Sequence, residues 1–575
     1  MPAPAPFSIL RPFEAPMTDT LMPKLASVFA EGYGPARFKA DALSGLTVAI
    51  VALPLSMAIA IASGVTPDRG LYTAIIGGFL VSALGGSRFQ VGGPAGAFIV
   101  LVSATVARHG VEGLLLATLL SGILLALAGY LRLGKYIKFI PYPVTVGFTA
   151  GIAVIIFASQ IGELFGLKLD GREPGPILDK LEALWIARPS FNPAAFGVAG
   201  LTVAVILLLR RFRPSWPNLL IAVTVASFAT ALLSLPADTI GSRFNGIPRG
   251  LPLPALPSFS PELVIAVLPD AVAFALLGAI ESLLSAVVAD GMTGRRHRSS
   301  MELVAQGFAN VGSALFGGIC VTGTIARTAT NVRSGATSPV SGMLHALFLL
   351  LFMLVAAPLA SYIPLAALAG VLAVVAFNMV ERPAIAALFR SSRGDAAVLV
   401  VTFLLVVFRD LTEGIVVGFL IGAVLFIDRM GKAVAIREET VPRVVRAIEN
   451  AGEDSGLPER PVVANDPDTV IYRISGVFFF GAAASVGSVL DRIADQRRNF
   501  VLDCADVPLL DSTAASVIEG LVRKAERAGV RVFITGLKPD MRRLLEAHEL
   551  HAPRVTFTAT LESALEEIAT FPPSR

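Results

Sequence analysis

The sequence predicts an α-helical polytopic membrane protein that carries a small α/β domain at its C-terminal end. Three observations lead there. Hydrophobic residues make up 54% of the 575 and charged residues only 16%, whereas soluble domains run near about 25% charged. From about Lys39 to Asp428 the chain is a series of apolar runs with short breaks, each close to spanning length or shorter. After Asp428 the pattern changes to alternating strand-like and helix-like segments of ordinary polarity.

Residues 1–38 read as a cytoplasmic N-terminal segment. Their opening is Pro-rich and irregular and has no apolar core of signal-peptide form. Residues 39–428 hold about fourteen apolar runs. The first seven are Ser44–Gly64, Gly70–Gly85, Pro94–Ala107, Gly113–Leu131, Pro141–Ile161, Ala194–Leu209 and Leu219–Leu235. The second seven are Val264–Val288, Leu303–Phe316, Gly323–Val332, Pro339–Pro358, Leu365–Phe377, Ala396–Phe408 and Gly414–Ile427. Seven is odd, so the two sets insert with opposite orientation.

Charge in the breaks gives the orientation. Arg132, Lys135 and Lys138 share one break, Arg210, Arg211 and Arg213 a second, Arg295, Arg296 and Arg298 a third, and Arg390 with Arg393 a fourth. With this count all four lie on one side, which the positive-inside rule makes cytoplasmic. Both termini then face the cytoplasm, and the expected location is the cell inner (plasma) membrane. The net charge of +4 sits in these short loops, so it does not imply a nucleic-acid partner.

Residues 429–467 read as a linker, and residues 468–575 as one layered α/β domain. There, Val470–Ile474, Val477–Phe480, Phe500–Cys504 and Val530–Ile534 look like strands. Val486–Gln496, Ser512–Ala528 and Pro539–Ala547 look like helices. The tail has no Gly-rich phosphate loop followed by Lys and no His/Cys metal set, so neither an enzyme, a cofactor nor a metal is expected. The two cysteines, Cys320 and Cys504, lie far apart in segments of different character and are expected as free thiols.

Two features of the membrane region carry chemistry. The first is Glu281, alone in the otherwise apolar or small stretch Ala271–Val288. A charge at mid-bilayer costs about 2.5–3.5 kcal/mol on insertion scales, so such an acid faces a protein interior or a watery cavity. A titratable acid there is a proton-coupling candidate; the alternative is a neutral Glu bonded to a neighbouring helix. The second is a shared punctuation. Arg88-Phe89-Gln90-Val91 meets Gly92-Gly93-Pro94 before a short helix, and Gly318-Ile319-Cys320-Val321 meets Thr322-Gly323 before another. Paired, interrupted segments in equivalent places point to a transporter binding site. A half-helix that starts at mid-membrane offers free N–H groups and a positive dipole end, so two of them make an anion site. The first starts at Pro94, Ala95, Gly96 and Ala97, the second at Thr324 and Ala326. Arg327 lies in the first turn of the second half-helix; it can bind substrate or pair with Glu281. The hydroxyls of Ser285, Thr324 and Thr328 can add donors, although such groups usually bond back to their own helix. His345 stands alone in a later apolar run and reads as a satisfied core histidine.

The runs Leu53-Pro54-Leu55-Ser56-Met57-Ala58, Val91-Gly92-Gly93-Pro94-Ala95-Gly96-Ala97 and Gly323-Thr324-Ile325-Ala326-Arg327-Thr328 resemble the SulP family of sulfate-permease-like anion transporters. The tail resembles their STAS domain. The resemblance implies fourteen spans as two inverted seven-helix repeats, similar to the uracil-permease fold. Spans 1–4 and 8–11 would form a core domain and spans 5–7 and 12–14 a gate domain, with an elevator-like shift of one against the other. It also implies a homodimer. The acidic position of helix 8 falls on Glu281, the position one turn on falls on Ser285, and the basic position of helix 10 falls on Arg327. Sodium-symporter-like members carry Asp and Thr at the first two positions, so Glu and Ser here make a proton the expected coupling ion and sodium the less expected one. The family's Pro-Gln-Gly in helix 1 is replaced by Pro54-Leu55-Ser56. In the tail, related proteins carry a phosphorylatable Ser at the position of Thr513, while the residues themselves read Asp511-Ser512-Thr513 as a helix cap.

The expected function is secondary transport of a small anion: a sulfate-type inorganic anion, bicarbonate or a C4-dicarboxylate. Besides the bilayer and the anion, a cytoplasmic protein could bind through the STAS domain. A nucleobase–proton symporter of the same fold, or an anion channel or membrane-anchored signalling scaffold, are the alternatives.

Overall fold

A computed structural model describes residues 21–136, 141–169, 174–213, 216–409, 411–439, 442–445, 462–465, 468–480 and 498–570. The chain forms two compact units, the first ending at Phe419 and the second beginning at Leu420.

The first unit is helical. A short α1 (Lys24–Ala30) precedes α2 (Pro35–Ala62), which contains Pro54. The run Gly70–Gly85 forms α3 (Pro67–Tyr72), a π-helical turn and α4 (Gly78–Leu84). The extended pair β1 (Gly92–Gly93) then leads through a 3₁₀ turn into α5 (Ile99–Tyr130). Gly110 (φ 69°) is not helical, so this stretch is two helices in succession, and the runs Pro94–Ala107 and Gly113–Leu131 lie on either side of the break.

Next come α6 (Tyr142–Phe165), α7 (Ile177–Ile186), α8 (Pro193–Phe212), α9 (Asn218–Leu232) and the short α10 (Ile240–Phe244). The second half holds α11 (Pro261–Thr293), α12 (Ser299–Leu315), β2 (Thr322–Gly323), α13 (Ile325–Arg333) and α14 (Val340–Ala360). It ends with α15 (Leu365–Met379), α16 (Arg382–Ser391), α17 (Arg393–Phe408) and the first residues of α18 (Leu411–Lys432), which continues past Phe419. Eight helical stretches among the described residues are long and apolar enough to cross a membrane. Other apolar runs form shorter helices, such as α9 with 15 residues and α13 with 9. Helices α7 and α16 occupy stretches the sequence reads as breaks.

Local sequence explains the ends. Asn192 accepts from the backbone N–H of Ala194 at 2.9 Å and Pro193 opens α8; Ser260 accepts from Leu263 N–H at 3.1 Å and Pro261 opens α11. Both are side-chain caps followed by the residue that has no N–H to lose. Helix α11 stops at Gly294, in left-handed conformation, beside the Arg295–Arg296 pair that favours the negative helix end.

Helices α2, α4, α5, α11, α12 and α14 pack on one another, as do α6, α8, α9, α15 and α17. Small residues set the close approaches, as expected where lipid gives no hydrophobic drive for helix pairing. At the α5–α12 crossing, a Cβ on Gly307 would fall 2.6 Å from the Gly122 carbonyl oxygen.

The second unit contains a five-stranded sheet. Strands β6 (Thr469–Ser475), β7 (Asn499–Asp506), β8 (Arg531–Thr535) and β9 (Thr556–Thr558) run parallel, and β3 (Ala435–Glu439) adds to β6 antiparallel. A separate pair joins β4 (Pro442–Val445) to β5 (Val462–Asn465). Alternation along β6 sends Val470, Tyr472 and Ile474 to one apolar face and Ile471 to the other. The helix Ser512–Arg527 covers the first face, and Leu561–Thr570 covers the second. Strand β3 lies in the stretch read as linker. Val477–Phe480, read as a strand, makes only an isolated bridge from Phe478 to Leu510. The expected helix Val486–Gln496 lies outside the described residues. Cys320 and Cys504 are free and buried.

Candidate transport site

The two interrupted segments meet. Gly92 pairs with Gly323 and Gly93 with Thr322 in an antiparallel ladder, and Thr324 N–H donates to the Val91 carbonyl at 3.2 Å. The chain resumes helical conformation at Gly96 on one side and Ile325 on the other. The interrupted backbone can stay buried because each segment satisfies polar groups of the other.

Arg327 fills the centre. It is 1% exposed. Its Nη2 donates to Ser56 Oγ at 3.1 Å and to the Pro94 carbonyl at 3.2 Å, and its Nη1 to the Gly92 carbonyl at 3.4 Å. Three parts of the chain thus hold one guanidinium: α2, β1 and Pro94, just after β1. The pairing with Glu281 that the sequence left open is not formed; among the described residues no carboxylate pairs with Arg327. Its Nε has no hydrogen-bond partner. Gly93 makes room, because a Cβ there would fall 1.8 Å from Arg327 Nη1, at a φ of +155°.

Helix α11 lies alongside. Thr322 Oγ1 donates to the Gly278 carbonyl at 3.2 Å, and Ser285 Oγ donates to Thr328 Oγ1 at 3.0 Å. Positions 278, 281, 282 and 285 recur at helical spacing, so Glu281 shares the side of α11 that meets β2 and α13. Its Oε2 is buried with no hydrogen-bond partner.

The other expected residues divide. Thr328 Oγ1 also accepts from Val91 N–H at 3.3 Å, so the Ser285 and Thr328 hydroxyls tie α11, α13 and the first segment together. Thr324 is half-buried and its Oγ1 has no partner. Ala326 is exposed, Pro94, Ala95 and Ala97 are buried, and Gly96 is half-buried. His345 is fully buried, but both ring nitrogens lack partners, so it is not the satisfied histidine that the sequence suggested. In the second unit, Asp511 Oδ1 accepts from Ala514 N–H at 2.9 Å as a helix cap, and Thr513 is exposed in the first turn.

Sequence reasoning missed Ser56 as a partner of Arg327, and Gln90, Ser282 and Glu302 as a buried group. Glu302, Gln306, Asn310 and Ser313 follow at intervals of four, four and three, a polar stripe on one face of α12. That stripe was the available signal. Asn310 uses it to hold the second segment, donating to the Val321 carbonyl and accepting from Val321 N–H, both at 2.9 Å.

Comparison with known proteins identifies the family. The sulfate permease family matches residues 38–402, and the STAS domain matches residues 460–564. A Bacillus subtilis (strain 168) protein named "Putative sulfate transporter YvdB" is 39% identical over 520 residues, 90% of this chain and 94% of that protein. The bicarbonate transporter BicA of Picosynechococcus sp. is 30% identical over 522 residues, 89% of this chain and 91% of that protein. The solved transmembrane domain of a cyanobacterial BicA superposes with a TM-score of 0.59 at 30% identity, covering 68% of this chain and 98% of that one. The murine anion transporter Slc26a9 shares the fold at a TM-score of 0.81 and 18% identity, covering 98% of this chain and 97% of its own. These relatives are named as transporters, not enzymes. With most of its membrane region and its C-terminal domain matched in this way, the chain belongs to the sulfate permease family of membrane anion transporters and carries a STAS domain.

Proposed function

We propose that the protein is a proton-coupled secondary transporter of a small inorganic anion, sulfate or bicarbonate, in the plasma membrane with both termini cytoplasmic. The observation that carries this reading is Arg327: a buried guanidinium with no carboxylate partner among the described residues, at the junction of two interrupted segments. A cation so placed favours an anion, and the free N–H groups where α13 begins add to that preference. The names of the relatives supply the two substrate candidates. They also give no support to the nucleobase alternative.

Glu281 is the proton site in this reading. Its partnerless oxygen sits on the α11 side that faces the ladder, so protonation offsets the charge an anion brings into the core. Pro94, Ala95, Gly96, Ala97, Thr324 and Ala326 line the anion's approach, and Ser285 and Thr328 fix the walls. The two helix bundles support transport by movement of one bundle past the other, as an elevator. A homodimer, and a cytoplasmic partner at the STAS domain, complete the proposal.

The test is uptake into proteoliposomes. Labelled sulfate, bicarbonate and a C4-dicarboxylate are offered with and without an inward proton gradient. Saturable, gradient-stimulated uptake of sulfate or bicarbonate is expected. Glu281→Gln is expected to retain exchange of bound anion but to lose stimulation by the gradient. Uptake of equal rate and equal pH response in wild type and Glu281→Gln rejects the coupling role.

A further inference from the structure

A second carboxylate is buried in the same bundle and is built differently. Glu302, in the first turn of α12, is fully buried. Its Oε2 accepts from the backbone N–H groups of Gly86 at 2.8 Å and Ser87 at 3.0 Å. Its Oε1 accepts from Gln90 Nε2 at 2.9 Å and Gln306 Nε2 at 3.2 Å. Four donors saturate the two oxygens, whereas Glu281 keeps one oxygen free. Gln90 Nε2 also donates to Ser282 Oγ at 2.7 Å, next to Glu281 in sequence. A Cβ on Gly323 would lie 1.9 Å from Gln90 Nε2, so the amide rests directly on β2. The Gln90 amide therefore touches α11, α12 and the ladder at once.

We infer that Glu302 is a positioning residue of the transport site: by holding Gly86, Ser87 and Gln90 it fixes the first interrupted segment, and with it the carbonyls that grip Arg327, against the helix that bears Glu281. The inference rests on the transport reading for its consequence, not for its geometry. Glu302 acts through accepted hydrogen bonds, which makes a sharp distinction available. Gln90 Oε1 and Gln306 Oε1 are both buried without a partner. In Glu302→Gln the new amide oxygen can keep Gly86 and Ser87. Its NH₂ group can donate to both glutamines once their amides rotate. In Glu302→Leu all four bonds are lost at similar volume, and two buried backbone N–H groups are stranded.

Hydrogen–deuterium exchange of the purified protein, without substrate, reads the geometry; uptake kinetics read the consequence. Glu302→Leu is expected to speed exchange of amides 86–93, with exchange in 499–506 as in wild type. Its KM for the transported anion is expected to rise about tenfold, while simple loss of folded protein would lower the maximal rate alone. Glu302→Gln is expected to restore both readouts. Unchanged exchange in Glu302→Leu overturns the inference, as does a rise in exchange with KM unchanged. Glu302→Gln behaving like Leu overturns it too, since charge would then be the agent. Where Glu302→Leu does not fold, Gln90→Ala replaces it; faster exchange at 91–93 is expected, and wild-type exchange there overturns the inference. If wild type carries none of the offered anions, the transport reading fails while the exchange result still decides the clamp.

Discussion

Arg327 donates through Nη2 to the carbonyl oxygen of Pro94, 3.2 Å away. The second interrupted segment thereby grips the extended stretch two residues before the first half-helix resumes at Gly96. The same nitrogen reaches Ser56 Oγ and its twin reaches the Gly92 carbonyl, so one planar fork serves three directions.

Arg327→Lys tests the fork. An ammonium keeps the charge but cannot span these acceptors with fixed geometry. Uptake is expected to fall at least about tenfold, the equivalent of ~1.4 kcal/mol, with Arg327→Ala lower still. Initial rates in proteoliposomes at matched protein density check this.

Gly93→Ala tests the space beside it. The added methyl would lie 1.8 Å from Nη1, so the guanidinium or the ladder must move. Overpacking of this kind costs about 1–3 kcal/mol. A lower melting temperature in detergent and loss of uptake are expected, and in Gly93→Ala combined with Arg327→Ala the two losses are expected to be less than additive, because the clash is gone while the backbone strain at a φ of +155° remains.

Acid stability depends in part on Glu31. Arg88 Nη1 donates to Glu31 Oε2 at 2.8 Å, and its Nη2 pairs with Oε1. This bond to Arg88 holds the Glu31 carboxyl below its ordinary value of 4.5. A depressed folded-state value contributes stability that is complete above the unfolded value and fades as pH falls through the folded one. Wild type is therefore expected to lose melting temperature below pH 4.5 more steeply than Glu31→Gln, while at neutral pH Glu31→Gln melts slightly lower. Thermal scans from neutral to acid pH decide it.

Asp511 and Thr513 separate two readings of the STAS turn. Asp511 caps its helix and also accepts from Phe480 N–H at 3.0 Å. Asp511→Ala is expected to lower the stability of the second unit by about 0.5–2 kcal/mol. The Thr513 side chain is exposed and has no part in the cap, so Thr513→Ala is expected to leave stability unchanged and to alter only a signalled response. Denaturant unfolding followed in the second unit makes the comparison.

The sequence made the helical runs, the two interruptions and the α/β tail legible, because apolar length and Gly/Pro punctuation are local signals. Glu281 and Arg327 stood out as charges in apolar surroundings. Which partners they take was not legible: whether Arg327 faces Glu281 or Ser56 depends on how α2 and α11 dock, and no local pattern encodes that. Glu302 was hidden because it lies one residue before the apolar run that begins at Leu303 and so passes for a loop charge. The separation of Pro94–Ala107 from Gly113–Leu131 was legible because Gly110, with a φ of 69°, breaks the helical backbone between them.

The ladder between Gly92–Gly93 and Thr322–Gly323 is made of main-chain groups alone. What it demands at Gly92, Gly93 and Gly323 is slenderness, while Thr322 adds a hydroxyl that holds Gly278. A seam of this kind tolerates no bulk: a methyl added at Gly92 would fall 2.7 Å from Val81 and one added at Gly323 would meet the Gln90 amide, so the two halves are held apart by no more than the width of their own main chains.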